Sequence, residues 1–141
     1  MNPTFQWTTG YAVGVRQIDE EHQRLFALAE RMHRAMLEGK GRQILADLLA
    51  RLVEYTSYHF AHEEQLMERI RYPNYRQHRK EHEELRSRVQ AMQDRAASGE
   101  VTITIEVMLF LMEWLKRHTA TSDCRIGDYM KASGSQDWTA G

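Results

Sequence analysis

Four stretches of this chain repeat their apolar residues at steps of three and four, and histidine recurs on the apolar side of each. That spacing is the mark of a helix with one buried face. A histidine on such a face is buried too, and burying a polar group without a partner costs about 1–3 kcal/mol. Five of the seven histidines, His22, His59, His78, His82 and His118, fall on these stripes. The fold must bring four helices together and give their inward imidazoles something to bind.

Only two prolines, Pro3 and Pro73, interrupt the chain, which leaves room for long helices. The first helix is expected to start with Asp19 as N-cap, Glu20 and Glu21 favouring its dipole, and to stop near Gly39 and Gly41. Its stripe is His22, Leu25, Phe26, Ala29, Met32, Met36. The second runs from about Arg42 to Arg71, ended by Tyr72-Pro73, with Leu45, Leu48, Leu52, Tyr55, His59, Glu63, Leu66 and Ile70 on one side. The third follows Pro73 and carries His78, His82, Leu85, Val89, Met92 and Ala96 before Ser98-Gly99. The fourth begins between Thr102 and Thr104 and carries Val107, Met108, Leu111, Leu115 and His118.

The fold class is therefore all-α, with short connections favouring an up-down-up-down four-helix bundle over residues 19–132. Residues 1–18, with Trp7, Tyr11, Gly10 and Gly14, are too irregular for a helix and are expected as an N-terminal arm lying across the bundle. A short C-terminal helical turn through Tyr129 and Met130 should follow Asp123, and the polar tail 133–141 should be flexible. Alternating helix directions then carry His22, His59, Glu63, His78, His82 and His118 to the same end of the bundle. That convergence is a consequence of the topology.

At 141 residues the chain has the length of one domain. Its 19 basic and 20 acidic residues nearly balance, which gives no electrostatic case for nucleic acid or an anionic membrane. No apolar run approaches the roughly 18 residues of a membrane span. The single cysteine, Cys124, cannot form an internal disulfide, and no cleavable apolar N-terminus is present, so a reduced, cytoplasmic protein is expected.

Residues four apart on a helix differ by about 40° around the axis and roughly 6 Å along it, so the pairs His59/Glu63 and His78/His82 can each reach one point. A structural zinc site takes four ligands, usually with cysteine; this set has seven candidates and no thiolate. The donors exceed the needs of one octahedral ion. Two ions bridged by Glu63 and Asp123 fit the count, and mixed nitrogen and oxygen donors suit iron, with manganese left open by the residues alone. Asp123 lies five residues after His118, a step that turns about 140° along a regular α-helix. For both to meet one centre, the helix must end or widen into a π-type turn between Thr119 and Asp123.

These residues together resemble the hemerythrin-like proteins, specifically the single-domain bacteriohemerythrins. The resemblance runs from about Trp7 to Tyr129. It rests on Trp7, Val13-Gly14-Val15, Ile18-Asp19 with His22, His59-Phe60 with Glu63-Glu64, Met67, Tyr72-Pro73, His78 with His82, and Trp114-Leu115 with His118 and Asp123. Myohemerythrin, a relative, is an up-down-up-down bundle. The resemblance implies a cofactor of two iron ions with an oxo or hydroxo bridge. His78, His82 and His118 would hold one iron, His22 and His59 the other, and Glu63 and Asp123 would bridge them. The two-histidine iron would keep an open position for dioxygen. Thr119 and Cys124 depart from the isoleucine and lysine common in the family.

The function so implied is reversible dioxygen binding for storage, delivery or sensing, by a protein that is not an enzyme and acts as a monomer. The alternatives are a di-iron redox enzyme (oxidase, peroxidase or nitric oxide-handling) and a signalling module that docks an unidentified protein partner. Ferritin-like oxidases use four glutamates and two ExxH motifs, a pattern missing here. Leu111, Trp114 and Leu115 precede His118 on the fourth helix and are expected to wall the oxygen pocket. His33 is expected as a hydrogen-bonded bundle residue, His62 as solvent-facing, and the charged run from Arg76 to Arg88 as a solvated face.

Overall fold

A computed structural model describes residues 7–39, 42–97 and 105–134, with side chains described for 7–39, 46–95 and 109–134. The expected boundaries at Gly41, Ser98-Gly99 and Thr102–Thr104 lie outside the described residues. So do residues 1–6, the tail from 135 onward, and the stripe side chains of Leu45, Ala96, Val107 and Met108. A 3₁₀ turn, Thr9–Tyr11, precedes four long helices: α1 Arg16–Leu37, α2 Arg42–Arg69, α3 Tyr75–Ala97 and α4 Ile105–His118. A π-turn, Thr119–Asp123, then leads into α5, Cys124–Ala132. Helix α1 packs on α2 and α4, and α2 packs on α3, in the antiparallel bundle that the short connections predict.

Two helix ends differ from expectation. Helix α1 begins at Arg16, three residues before the predicted cap, with Val15 at the N-cap. Asp19 is not the cap. Its carboxylate reaches back to accept the Val13 N–H at 2.7 Å and the Gly14 N–H at 3.2 Å. The apolar contacts of Val13, Val15 and Ile18, all buried, draw this segment into the core, so the helix starts where they dock. Helix α2 ends at Arg69 rather than Arg71. Arg71 takes a left-handed conformation (φ 55°), with Tyr72 N–H donating to Met67 O and Arg71 N–H to Glu68 O. That is a Schellman-type reversal, and it turns the Tyr72 ring into the core ahead of Pro73. Helix α1 closes on Gly39, also left-handed (φ 71°), as expected.

The apolar interior falls into two clusters. One fills the bundle with Leu25, Phe26, Ala29, Met32, Leu52, Leu85, Leu111 and Leu115 among others. The second gathers Val13, Val15, Ile18, Leu66, Met67, Tyr72, Ile126 and Met130. The inward histidines fall between the two clusters: His22 between Ile18 and Leu25, His59 between Leu52 and Leu66, and His118 between Leu115 on α4 and Ile126 on α5. They form a polar layer capped on both sides by hydrocarbon. The seam on α2 is also rotated from the predicted one: Leu49, Thr56, Phe60 and Met67 are buried, while Leu48 and Tyr55 lie only partly so.

The N-terminal segment seals the outer side of that layer. Tyr11 meets Phe26 edge to face at 5.0 Å, and Val13 lies against α5 at Gly127. A Cβ at Gly127 would come within 1.8 Å of the Val13 carbonyl oxygen, a backbone atom that cannot swing aside. Alanine gains about 1 kcal/mol of helix propensity over glycine. Overpacking against fixed backbone costs about 1–3 kcal/mol and rises steeply with overlap. The clash should win. Gly127→Ala is expected to lower the melting temperature and to expose residues 7–15 to limited proteolysis; a parental melt and an intact digest would show that the segment is not docked there.

Candidate metal centre

Helix α1 contributes His22, α2 contributes His59 and Glu63, α3 contributes His78 and His82, and α4 with its π-turn contributes His118 and Asp123. All seven side chains are buried, Glu63 and His82 to 0% exposure. The π-turn brings Asp123 back to the centre: five residues in this wider winding replace the 140° misalignment of a regular helix, as the sequence requires. Thr121 ties the turn to α4 by donating its hydroxyl to Arg117 O at 2.6 Å.

The donor atoms fall into two sets. Glu63, His78, His82, His118 and Asp123 form one, and His22, His59, Glu63 and Asp123 form the other. Each carboxylate divides its oxygens between them. Glu63 Oε1 lies 3.2 Å from His78 Nε2 and 3.1 Å from His82 Nε2, while Oε2 lies 3.0 Å from His22 Nε2 and 2.7 Å from His59 Nε2. Asp123 Oδ1 faces His78 and His118 Nε2 at 3.0 and 3.1 Å, and Oδ2 faces His22 Nε2 at 2.9 Å. Every imidazole presents Nε2.

These groups suit metal ions better than one another. His59 Nε2 and both Asp123 oxygens are fully buried and have no hydrogen-bond partner, although their neighbours lie about 3 Å away, because the angles are wrong for hydrogen bonds. Donors about 2.1 Å from a common ion and at right angles lie about 3.0 Å apart, as these do. Imidazole nitrogen and carboxylate oxygen without thiolate is a donor mixture for iron.

Three carboxylates that hold the outward ring nitrogens were not legible as such in the sequence. Glu21 Oε1 takes the Nδ1 of His59 at 2.8 Å, Glu64 Oε2 the Nδ1 of His82 at 3.0 Å, and Glu81 Oε1 the Nδ1 of His118 at 3.0 Å. Each pairing joins one helix to the next in the chain: α1 to α2, α2 to α3, α3 to α4. A carboxylate on Nδ1 fixes the ring and its tautomer, leaving Nε2 to the metal. Each of the three sits next in sequence to a residue of the inner cluster, which is the only signal the sequence offers. Two expectations are corrected here. Glu81 lies within the run read as a solvated face, yet accepts from both His118 and the Ser122 hydroxyl. His62, read as solvent-facing, is largely buried, with its Nδ1 on Glu21.

Electrostatics follow from this packing. Burial opposes charge on His22 and His78, but Asp123 and Glu63 outweigh it and push both up to about 10. His118 is likewise opposed by burial and raised to about 9 by Asp123 and Glu81. The hydrogen bond from His118 holds the Glu81 carboxyl down to about 2. Burial works against the Glu63 and Asp123 carboxylates, but the facing imidazoles keep both well below the usual range.

Of the residues expected to wall an oxygen pocket, Leu111 and Leu115 are buried and line a cavity of about 490 Å³ with Leu52, Leu85 and Val89, between α2, α3 and α4. Trp114 lies apart from it, stacked on the His118 ring at 4.4 Å. Phe60 stacks on His82 at 3.7 Å. His33 is buried on α1.

The family model described as "Hemerythrin HHE cation binding domain" matches residues 13–126. A bacteriohemerythrin of Stenotrophomonas maltophilia is 32% identical over 130 residues, which span 92% of this chain and 84% of the relative. One of Pseudomonas aeruginosa is 33% identical over the same shares, and one of Clostridium acetobutylicum is 27% identical over 84% of this chain and 95% of its own. A crystal structure of wild-type hemerythrin superimposes with a TM-score of 0.83 at 25% identity, covering 87% of this chain and 95% of that one.

Metal loading should be visible as acid. At pH 7 the metal-free His22, His78 and His118 carry protons, since their pKa values lie near 9 to 10, and a metal needs the free Nε2. Burial opposes charge on His59 as well, but Glu63 raises it, so adding ferrous ion anaerobically to the metal-free protein in weak buffer should release at least about three protons per chain, read with an indicator dye. Loading without acidification at pH 7 would mean these imidazoles are neutral beforehand.

Proposed function

This chain belongs to the hemerythrin family, and from that premise we propose that it binds dioxygen reversibly at a non-haem centre of two iron ions, for storage, delivery or sensing. The observation that carries the reading is the pair of donor sets that share Glu63 and Asp123, one oxygen to each set. His78, His82 and His118 would hold one iron, His22 and His59 the other, with the two carboxylates across both. When bound, the iron pair supplies the reversible redox chemistry with dioxygen that side chains alone lack. The set with four donors has one fewer than its neighbour, so it would leave a position for an exogenous ligand.

The protein's own part is to hold the donors and to exclude water. Reversible binding requires that the ligand leave as dioxygen and not as a protonated reduction product. The hydrocarbon above and below the polar layer serves that end. Leu111 and Leu115 are the apolar residues assigned to the pocket wall, with Trp114 fixing the His118 ring. No helix among the described residues is long and apolar enough to cross a membrane. The free Cys124 suits a reducing cytoplasm. Large exposed apolar side chains among the described residues are limited to Leu37, Tyr58 and Leu109, which suits a monomer.

Protein produced with ample iron should approach two irons per chain by metal analysis; a stable value of one, with zinc, would sink the dinuclear reading. Oxygen added to the reduced protein and then removed under vacuum should return the starting spectrum in full. Rapid irreversible oxidation would instead place the protein among redox enzymes.

Leu115→Ala should admit water and speed autoxidation while both irons stay bound, because no donor is touched. The lost core contact should cost roughly 2–5 kcal/mol of stability. His59→Ala should instead lower iron content. Should Leu115→Ala keep its iron and decay no faster than the parent, the wall lies elsewhere.

A further inference from the structure

Resting on the two-iron reading, we propose that Glu21, clamped by His62 and Gln17, is the positioning residue for the two-histidine half of the centre. The halves are not equally supported from outside. In the five-donor set, His82 is held by Glu64 and His118 by Glu81, and each ring is also stacked by an aromatic neighbour, Phe60 or Trp114. In the four-donor set, His22 Nδ1 is buried with no hydrogen-bond partner. His59 is the remaining imidazole there, and Glu21 holds its Nδ1 at 2.8 Å. Among the described residues, Glu21 is the one outer anchor of that half.

Glu21 is built for the task. It is 5% exposed, unlike its neighbour Glu20, and both its oxygens are engaged. Oε1 goes to His59, while Oε2 accepts from Gln17 Nε2 at 3.0 Å and meets His62 Nδ1. His62 is in turn set by the Tyr58 ring, edge to face at 4.2 Å, and its Nδ1 also lies 3.1 Å from Gln17 Nε2. A carboxylate fixed at both oxygens cannot rotate away from His59, and a ring so held keeps Nε2 aimed at the metal position and more basic. The surplus histidine His62 thereby gains a role without touching a metal.

The test is iron release from the loaded full-length protein to a chromogenic ferrous chelator, anaerobically, with far-UV circular dichroism and melting as controls. The parent should lose its irons in two phases. Glu21→Ala should speed one phase by roughly 10- to 100-fold and leave the other little changed. Glu64→Ala should speed the other phase. His62→Ala should speed the Glu21-dependent phase by less than Glu21→Ala does, and His62→Gln, which can still donate to Glu21, should restore the parental rate. A Glu21→Ala protein that releases both irons at parental rates overturns the proposal. So does one that releases both faster in equal measure, since Glu21 would then merely tie α1 to α2. Should Glu21→Ala fail to fold, Glu21→Gln and His62→Ala carry the same test, and an unselective or absent effect in both overturns it. A parent that holds a single iron would instead remove the dinuclear reading on which the proposal rests.

Discussion

The fold depends on a fully buried layer in which five imidazoles face two carboxylates. Seven polar side chains in the middle of a four-helix bundle would ordinarily be prohibitive, because each loses its water. Here three of the four carboxylate oxygens each face two imidazole nitrogens, and the fourth, Asp123 Oδ2, faces His22, so the compensation is spread over all four helices. The arrangement locks the helices in axial register. Sliding one helix by a turn, about 5.4 Å, would bury its histidines in hydrocarbon and strand the partners left behind.

Around that layer the protein builds outward in shells. Glu21, Glu64 and Glu81 hold three of the five rings by Nδ1 and in doing so link consecutive helices. Phe60 and Trp114 stack on the rings of His82 and His118. Beyond them, hydrocarbon closes both sides, with the N-terminal segment and α5 supplying one of the two lids. A low-dielectric surround strengthens every charge interaction inside it, and it makes the unpartnered atoms of the layer, His59 Nε2 and both Asp123 oxygens, costly until a metal takes them up.

The π-turn at Thr119–Asp123 shows how a local irregularity serves the whole. A regular helix through this stretch would aim Asp123 away from His118, and one carboxylate common to both donor sets would be lost. Such a turn sacrifices ideal hydrogen bonding, and Thr121 and Ser122 partly offset this with bonds to Arg117 O and Glu81.

Periodicity and residue type alone determined the helix count, the inward placing of the five histidines and Glu63, and the need for a wider turn if Asp123 is to join them, because helical spacing fixes which side chains share a face before any neighbour is known. The sequence did not determine the start of α1, the role of Asp19, the rotated seam of α2, or the separation of Trp114 from Leu111 and Leu115. Nor did it mark Glu21, Glu64, Glu81 and His62 as partners of the inner layer. A glutamate beside a buried histidine reads as a surface residue in one dimension, since it lies about 100° away around its own helix. Only a second helix, packed at the right distance, turns that flank into an interface and gives the carboxylate a ring to hold.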